Sequence, residues 1–314
     1  MRSSRALKVA LIVNPTAGSG AAGRAAPTVQ RALERLGASV TLGATKQPGD
    51  ATRLARESRS AHLDCTVVMG GDGTLNEVCQ AYIDERGEPL AGPPLALVPA
   101  GTGGDFRKTL GIGTDLEASV EHLVRCEPRP FDLGILEASA HDGRPVTRAF
   151  INITSFGLGG LTDRVVNAGP KWLGGKSAFF LGTLRALLAY QNAAVRVKVD
   201  GRVWLESPVV NVALANGRFF GGGMQIAPEA DPADGLFEVV ALGDLTRLQT
   251  VGLTQRVYAG THLGQPQISA TRGAVVEAEA LVPNAEVLID MDGETPGRLP
   301  LRARIAAGAL RFRG

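Results

Sequence analysis

The sequence predicts an α/β protein in which a doubly wound parallel-sheet domain precedes a β-rich antiparallel domain. Up to about Pro130, short apolar runs alternate with stretches of helical periodicity, whereas beyond it strand-like runs follow one another with Gly- and Asp-rich turns. The first rhythm is typical of a parallel sheet wound with helices, and the second of an antiparallel sandwich. A chain of 314 residues, 44% apolar and 20% charged, is long enough for two folded domains.

The first domain is predicted from four apolar runs and the helices that follow them. Residues 65–69 form a continuous apolar run, which predicts a strand buried on both faces. Asp50 is the predicted N-cap of a helix that ends near residue 60, and Thr114 with Glu117 forms a predicted capping box. The predicted strands span residues 7–13, 39–45, 65–69 and 95–98, and helices are predicted to end near residues 37, 60, 85 and 124.

The second domain is predicted from its succession of short strands, with a boundary near Gly134. We therefore expect domains at 1–134 and 135–314, and leave open that the extreme C-terminus packs back on the first domain. No low-complexity linker separates them, so a shared cleft is expected to bind the ligands. Strands are predicted at 131–138, 148–154, 194–199, 209–215, 236–242, 275–280, 286–290 and 299–305, with helices near 177–191 and 245–259.

Composition and charge exclude several classes of protein. A net charge of +2 gives no nucleic-acid footprint. Cys65, Cys79 and Cys126 form no CxxC pair, which predicts a reduced, cytoplasmic setting with the first two as small core residues. The N-terminus lacks the features of a signal peptide, and no apolar run reaches the length of about 18 residues that a span requires. The run at 177–190 is too short and contains Arg185, so it predicts an amphipathic helix in the core or docked on a surface.

Three glycine-rich turns follow predicted parallel strands: NPTAGSG at 14–20, GGDGT at 70–74 and PAGTGGDF at 99–106. Ligands of such sheets bind beyond the carboxyl ends of the strands. Glycine permits the backbone conformations that aim successive N–H groups at one point, and a helix N-terminus adds to the attraction for an anion. The three turns together predict a polyphosphate site.

Asp72 requires a separate explanation, because an anion beside bound phosphate would repel it. Thr74 and Glu77 fit a capping box for the following helix, which gives both residues a structural alternative. Asp72 remains, and an aspartate next to phosphate implies an intervening Mg²⁺. The chain contains no GxxxxGK[ST], so this is not a Walker-type loop.

Two further acidic segments lie in the second half of the chain. DPADG at 231–235 is either a solvated turn or a carboxylate-plus-carbonyl site for a hard cation. In DMDGE at 290–294, Asp290, Asp292 and Glu294 would share one face of a strand. Their repulsion would raise the pKa of one carboxyl and suit it to act as a general base. The alternative is a hairpin turn at the Asp-Gly pair.

The three glycine-rich motifs together resemble the diacylglycerol kinase catalytic-domain family, which also holds sphingosine and ceramide kinases and bacterial soluble lipid kinases. GGDGT also occurs in NAD kinases and resembles a phosphofructokinase loop, but the Asn-Glu-Val continuation favours the lipid kinases. The resemblance covers nearly the whole chain, through FDLG at 131–134, NGRFFGGGMQIAPEADPADGLFEV at 216–239 and IDMDGE at 289–294. It implies a first domain with the NAD kinase and phosphofructokinase type of fold.

The resemblance also implies site residues. Asp292 and Glu294 match acids with general-base and network roles, and Gly104 replaces an Asn that is usual in the family. The positions that match nucleotide-binding residues are Asn14, Pro15, Thr16, Ala17, Gly18, Thr45, Gly71, Asp72, Gly73, Thr74, Leu75, Asn76, Glu77 and Thr102. The positions that match a structural Mg²⁺ site are Asp231, Asp234 and Leu236, and those that match acids organising catalytic Mg²⁺ are Asp72, Asp105 and Asp132.

The sequence therefore predicts an ATP- and Mg²⁺-dependent lipid kinase that phosphorylates diacylglycerol or a related lipid. Asp292 or Glu294 would accept the proton of the lipid hydroxyl. Because the substrate is a lipid and no transmembrane segment is predicted, we expect a cytoplasmic protein in peripheral contact with a membrane; a homodimer is left open. Two alternatives remain: a kinase of a soluble metabolite, of the NAD kinase kind, and a non-catalytic nucleotide or lipid sensor.

Overall fold

The computed structural model describes residues 6–100, 104–161, 190–283 and 285–314. The described chain divides into two compact units, Met1–Leu133 with Gly308–Gly314, and Gly134–Ala307. The first unit is thus completed by the last seven residues of the chain. The helix predicted near 177–191 falls, apart from its end, outside the described residues.

The first unit contains a parallel sheet with helices between its strands. Strand β1 pairs with β2 and β3, β3 pairs with β4, and Phe312 and Arg313 at the end of β15 add a parallel edge to β4. This topology confirms the predicted α/β class. The elements are β1 Lys8–Val13, α1 Ala21–Arg35, β2 Ser39–Ala44, α2 Asp50–Ser60, β3 Cys65–Gly70, α3 Asp72–Cys79, a 3₁₀ turn Gln80–Tyr82, β4 Leu95–Pro99, α4 Asp105–Leu110 and α5 Leu116–Arg125.

Burial explains the pattern of these elements. All six residues of β3 are buried, as its continuous apolar run predicts, and Cys65 and Cys79 are both core residues. Helix α1 turns one apolar face, with Val29 and Leu33, onto the sheet. Phe106, Phe131 and Phe312 form a second contact in which the first two rings lie 6.0 Å apart, edge to face. The ring contact brings α4, the start of β5 and the end of β15 together.

Three predicted helix starts are wrong. Helix α2 has Gly49 at its N-cap, and the Asp50 carboxylate instead accepts hydrogen bonds from the N–H groups of the preceding turn. Helix α3 starts at Asp72 after an N-cap at Gly71, so it begins two residues before the predicted Thr74 and ends six before residue 85. Helix α5 is capped by the Asp115 side chain, which accepts from the N–H of Ala118, and not by the predicted box.

The second unit is an antiparallel β-sandwich, as predicted. One path of paired strands runs β12-β11-β10-β7-β14-β15 and the other β9-β8-β13-β15-β5-β6. The elements are β5 Arg129–Ser139, β6 Pro145–Phe150, β7 Ile153–Gly157, β8 Ala193–Val199, β9 Arg202–Val209, β10 Asn211–Ala215, β11 Phe237–Leu242, α6 Arg247–Tyr258, β12 Ile268–Gly273, β13 Val275–Ala280, β14 Leu288–Met291 and β15 Glu294–Arg313.

Strands of both paths enclose one core. Phe150 and Phe237 stack with ring centroids 5.5 Å apart, and the Phe150 ring lies directly over Gly134. Any side chain at that position would clash, which explains the glycine of FDLG. Helix α6 confirms the helix predicted near 245–259, and it begins with a capping box of Thr246 and Gln249.

The sequence missed three strands of this unit. The predicted strand at 148–154 is two strands, because the chain bends at Ile151 and Asn152 between β6 and β7. Strand β9, with an exposed side, and β12, which alternates half-buried and exposed residues, lack the apolar density by which the other strands were found.

Candidate functional site

The three glycine-rich turns lie at one edge of the parallel sheet of the first unit. Two backbone hydrogen bonds extend the pairing of β3 with β1 and with β4 into the turns. The N–H of Asn14 donates to Met69 O at 3.0 Å, and the N–H of Ala100 donates to Gly70 O at 3.1 Å. Thr45 joins the same edge, with its N–H 2.9 Å from Val13 O. The sheet therefore brings together the turns that the sequence predicts to bind phosphate.

The Asn14 side chain ties the first turn to the second. Its Oδ1 accepts from the N–H of Thr16 at 3.2 Å and from the Thr16 hydroxyl at 2.8 Å, while its Nδ2 donates to Thr74 Oγ1 at 3.2 Å. The first turn also lies against the third, since a Cβ on Gly18 would stand 2.9 Å from Ala100 O. Gly18 has a φ of 60°, so it is glycine for both conformation and space.

The Asp72 carboxylate ties the second turn to the third. Its Oδ2 accepts from the N–H of Asp105 at 2.8 Å, and its Oδ1 from the N–H of Phe106 at 3.3 Å. These are first-turn donors of α4, whose own N-cap, Gly104, has no side chain. Asp72 thus caps α4, a helix that the sequence analysis did not predict.

Glu77 braces a different helix from the one expected. The sequence predicts a box in which Glu77 folds back on its own helix, but its Oε2 accepts from the N–H groups of Gly49 at 3.1 Å and Ala51 at 3.3 Å, at the start of α2. The Thr52 hydroxyl donates to Glu77 O at 2.7 Å. Glu77 therefore holds the start of α2, which closely follows Thr45 in the chain, against α3.

Access to the second turn differs from residue to residue. Additional atoms on Gly71 or Gly73 would meet nothing within 4 Å, so this part of the turn is open. Leu75 and Asn76, in contrast, are 0% and 1% exposed. Residues 71–73 are therefore the accessible part of the turn, and Thr74, Leu75 and Asn76 form its buried support. Pro15, Ala17 and the other first-turn residues are at least partly exposed, whereas Thr102 lies outside the described residues.

Two other acids of the first unit are buried and held by their neighbours. Asp105 is 5% exposed and its Oδ1 lies 2.8 Å from the Lys108 ammonium. Asp132 is 1% exposed and its Oδ1 accepts from the N–H of Gly308 at 2.7 Å. The structure joins Asp72 to Asp105, while Asp132 anchors the point at which β15 enters the first unit.

Asp72 and Asp105 are candidate carboxylate ligands for a magnesium ion, although N–H groups and Lys108 already contact their oxygens. Burial raises the pKa of Asp72, and the nearby negative charge of Asp105 raises it further, against the lowering effect of the three backbone N–H groups. A divalent cation would relieve both effects, and each carboxylate retains lone pairs beyond those used in the hydrogen bonds. Within the ranges that the structure describes, no three His, Cys, Asp or Glu side chains form a ready cation cluster. A cation at Asp72 would thus need phosphate oxygens or water to complete its shell.

In the second unit, Asp292 and Gly293 form the two-residue turn between β14 and β15. Their φ values are 50° and 89°, as expected for a hairpin turn of the primed type. Met291 pairs with Glu294 across the turn. The interpretation in which three acids share a strand face is therefore wrong, because the chain reverses direction at Asp292.

The Asp292 carboxylate is fixed by backbone N–H groups. Its Oδ2 accepts from Ile151 at 3.1 Å and its Oδ1 from Ile153 at 2.9 Å, while its own N–H donates to Ile153 O at 3.0 Å. Asp290 closes the turn, since its Oδ1 accepts from the N–H of Gly293 at 3.0 Å. Glu294, half-buried, is the first residue of β15 after this fixed turn. Both oxygens of Asp292 thus serve the fold, and Glu294 is the better candidate for proton transfer.

In the DPADG turn, the acids that the sequence predicts to bind a structural Mg²⁺ make other contacts. Asp234 Oδ1 accepts from the N–H of Leu236 at 2.9 Å, and Asp234 Oδ2 contacts the Arg272 guanidinium. Asp231 Oδ1 accepts from the N–H of Ala233 at 3.1 Å. Arg272 thus occupies the carboxylate oxygen that a cation would require. A metal at this turn stays a prediction.

The sequence analysis did not identify three basic side chains near these turns and acids. Arg24 lies at the first turn, where a Cβ on Gly20 would stand 2.9 Å from its guanidinium. Lys108 pairs with Asp105, and Arg272 with Asp234 and, at 3.4 Å, with Glu238. Only Lys108 had a local signal, since it stands three residues after its partner on a helix.

A parallel sheet with tethered glycine-rich turns, followed by an antiparallel sandwich, defines the class of NAD kinase-like folds. A solved NAD kinase from Archaeoglobus fulgidus in complex with ATP matches it with a TM-score of 0.53 and 15% identity, covering 98% of this chain and 94% of that one. A crystal structure of a diacylglycerol kinase from Bacillus anthracis matches with a TM-score of 0.71 and 21% identity, covering 99% and 98%. These two likenesses establish the fold.

Sequence comparisons establish the family. The diacylglycerol kinase catalytic domain matches residues 8–136, and the YegS C-terminal NAD kinase beta sandwich-like domain matches residues 152–313. A Pseudomonas aeruginosa protein named "Probable lipid kinase YegS-like" is 30% identical over 305 residues, which cover 97% of this chain and 93% of that protein. The "Diacylglycerol kinase" of Mycobacterium tuberculosis strain H37Rv is 27% identical over 306 residues, 96% and 94%. The chain belongs to this family of diacylglycerol kinase-like lipid kinases, which confirms the resemblance found in its motifs.

Proposed function

We propose that the chain transfers the γ-phosphoryl group of ATP to the hydroxyl of diacylglycerol or a closely related lipid. In this reaction a bond forms between the lipid oxygen and the γ-phosphorus, the bond from that phosphorus to the bridging oxygen breaks, and ADP leaves. The observation that carries the proposal is the tethering of three glycine-rich turns at one sheet edge by Asn14 and Asp72, in a chain of the lipid kinase family.

The first unit supplies the proposed ATP site. The backbone N–H groups of Gly18, Gly71 and Gly73 are the proposed contacts for phosphate oxygens, because these glycines are at least partly exposed. Those of Asn14, Thr16 and Thr74 already donate within the chain. Phosphoryl transfer depends mostly on positioning and on neutralising charge. The cross-links made by Asn14 and Asp72 hold the described parts of the turns together, which reduces the ordering that nucleotide binding would require.

Asp72 and Asp105 are the residues that would hold Mg²⁺ in the first unit. When bound, that ion would neutralise charge on the transferring phosphate. Lys108 pairs with Asp105 and limits the negative charge that the two acids present without the metal. Asp132 fixes Gly308 and so supports the same region through the backbone.

The second unit supplies the proposed general base. We assign proton acceptance from the lipid hydroxyl to Glu294, and positioning of Glu294 to Asp292. The assignment is supported by the two backbone N–H groups that occupy the Asp292 oxygens and by the rigid turn that sets the first residue of β15. A base contributes about 10²- to 10⁴-fold to such a transfer.

The test is a kinase assay with purified protein, γ-labelled ATP and Mg²⁺. The acceptors are diacylglycerol in mixed micelles, a total lipid extract, and NAD in buffer. We expect label in the organic phase as phosphatidic acid, loss of that product in Asp72→Asn, and normal product in the exposed control Asp142→Asn. Label in NADP would instead establish a soluble-metabolite kinase, and ATP binding without turnover of any lipid would establish a sensor.

A further inference from the structure

Helix α6 has two apolar faces. One packs on the sandwich, where Val257 is 5% exposed and lies with Leu253 in a cluster that includes Ile226 and Val240. A surface helix of a folded domain usually needs only one such face. The second face therefore requires its own explanation.

The outward face carries Leu248, Val251 and Tyr258, which are 86%, 54% and 47% exposed. Their spacing of three and seven residues places them on one side of the helix. Four other large apolar side chains are exposed among the described residues, and they lie apart from one another at positions 36, 42, 203 and 282. Gln255 lies on the same side between Val251 and Tyr258, so Leu248 and Val251 form the apolar centre of the stripe. Neighbouring exposed apolar side chains mark an interaction site more often than scattered ones do.

The charge of α6 favours an anionic partner. The helix RLQTVGLTQRVY contains Arg247 and Arg256, both exposed, and no Asp or Glu. Arg247 precedes Leu248 and borders the stripe. Exposed Leu, Val and Tyr flanked by arginine is the composition of a helix that lies on a bilayer containing anionic lipid. A second copy of the chain fits less well, because a two-fold contact would set the same arginines against each other.

The same helix is linked by its backbone to the loop at 217–228. The N–H of Gln225 donates to Val257 O at 3.0 Å, and Phe220 and Met224 of the loop pack on the cluster beneath α6. Helix and loop therefore form one packed surface element.

We propose that the outward face of α6, formed by Leu248, Val251, Tyr258 and Arg247, docks on the surface of an anionic bilayer. Docking would place the enzyme on the phase that contains diacylglycerol, and this purpose rests on the proposed function. The binding step itself needs neither ATP nor catalysis, so it is testable alone.

The experiment compares sedimentation of the protein with vesicles of phosphatidylcholine and of phosphatidylcholine with phosphatidylglycerol, without ATP. The test variant is Leu248→Ser/Val251→Ser, and the matched control is Leu42→Ser/Val203→Ser, which changes exposed side chains on strands. We expect wild type and control to bind the anionic vesicles preferentially. The test variant should lose about tenfold or more in partitioning, because it removes two apolar side chains that would enter the bilayer. Arg247→Gln should reduce mainly the preference for anionic lipid.

Equal vesicle binding by wild type and the test variant would overturn the proposal, as would equal binding to both kinds of vesicle. Light scattering in solution supplies a third outcome: a dimer that the test variant dissociates, with vesicle binding unchanged, would identify the face as a self-association surface. Kinase assays separate the two proposals. Activity on water-soluble short-chain diacylglycerol should survive in the test variant while activity on vesicles falls. A wild type that binds vesicles but phosphorylates neither substrate would reject the proposed function and leave the docking face intact.

Discussion

Asp72 in the first unit and Asp292 in the second have the same bonding pattern in different settings. Each carboxylate uses both oxygens to accept backbone N–H groups from a distant segment. Asp72 caps a helix beside open glycine-rich backbone, where space for further ligands remains. Asp292 sits inside a left-handed hairpin turn. This difference is the basis of the proposed roles, in which Asp72 would both support the fold and hold the cation, and Asp292 would position Glu294.

The sharpest test of this contrast is Glu294→Gln. The change keeps the size of the side chain and removes the base, so we expect a normal fold and a loss of about 10³-fold in kcat, equivalent to about 4 kcal/mol. Phosphatidic acid formation in mixed micelles measures it, with Glu286→Gln as the control on an exposed acid nearby. A rate within a few-fold of wild type would remove Glu294 from the reaction.

Asp292→Ala tests the supporting role. It leaves the N–H groups of Ile151 and Ile153, both 1% exposed residues, without their acceptor and puts alanine at a φ of 50°. We expect the free energy of unfolding to fall by about 3–5 kcal/mol, since each buried unsatisfied group costs about 1–3 kcal/mol. Urea unfolding measures the change, with the exposed Asp142→Ala as control. Wild-type stability with lost activity would instead make Asp292 a direct participant.

The pH dependence of stability tests Asp72. Burial holds its pKa above the usual range, so the protonated carboxyl favours the folded state and this contribution is lost as pH rises from about 4 through the raised pKa. Urea unfolding with chelator should show a steeper decline for wild type than for Asp72→Asn, up to about 1.4 kcal/mol for each pH unit. Mg²⁺ with ATP should flatten the wild-type curve. Parallel curves for both proteins under all conditions would contradict the assignment.

Asp234 differs from Asp72 and Asp292 because one of its oxygens contacts the Arg272 guanidinium and the other accepts a backbone N–H. Removing the guanidinium in Arg272→Gln should cost about 1 kcal/mol and free an oxygen for a cation. We therefore expect Mg²⁺ to raise the Tm of this variant more than that of wild type or of Arg196→Gln, an exposed arginine paired with two glutamates. An equal rise in Tm with Mg²⁺ for all three proteins would show that the Arg272 guanidinium does not occupy a cation site.

Gly104→Asn gives the smallest expected effect. Gly104 has a φ of 81° at the start of the helix that Asp72 caps, and asparagine is among the few other residues that adopt this conformation. The new Cβ would stand 3.1 Å from the flexible side chain of Arg107. We expect a change of a few tenths of a kcal/mol in stability and a measurable change in the KM for ATP. An unfolded variant would contradict this account of the family difference.

Local chemistry made much of the fold predictable. The buried run of β3, the helical period of α1 and the turns at strand ends all follow from residues close together in the chain. The cross-links did not, because Asp72 bonds to residues 33 and 34 positions away and Asp292 to residues 139 and 141 positions away. A motif identifies an acidic residue, but it does not identify the distant N–H groups that donate hydrogen bonds to its carboxylate. The hairpin at Asp292-Gly293 was one of two interpretations, and only pairing across the turn decides between them.

The last strand has a consequence for the order in which the protein can fold during synthesis. Phe312 and Arg313 complete the edge of the first unit beside β4, and Gly308 is the partner of Asp132. Residues 134–307 must therefore leave the ribosome before the first unit is whole. At ordinary rates of translation this takes on the order of ten seconds or more. During that interval the first unit exposes the unpaired edge of β4 and lacks the contacts that residues 308–314 supply.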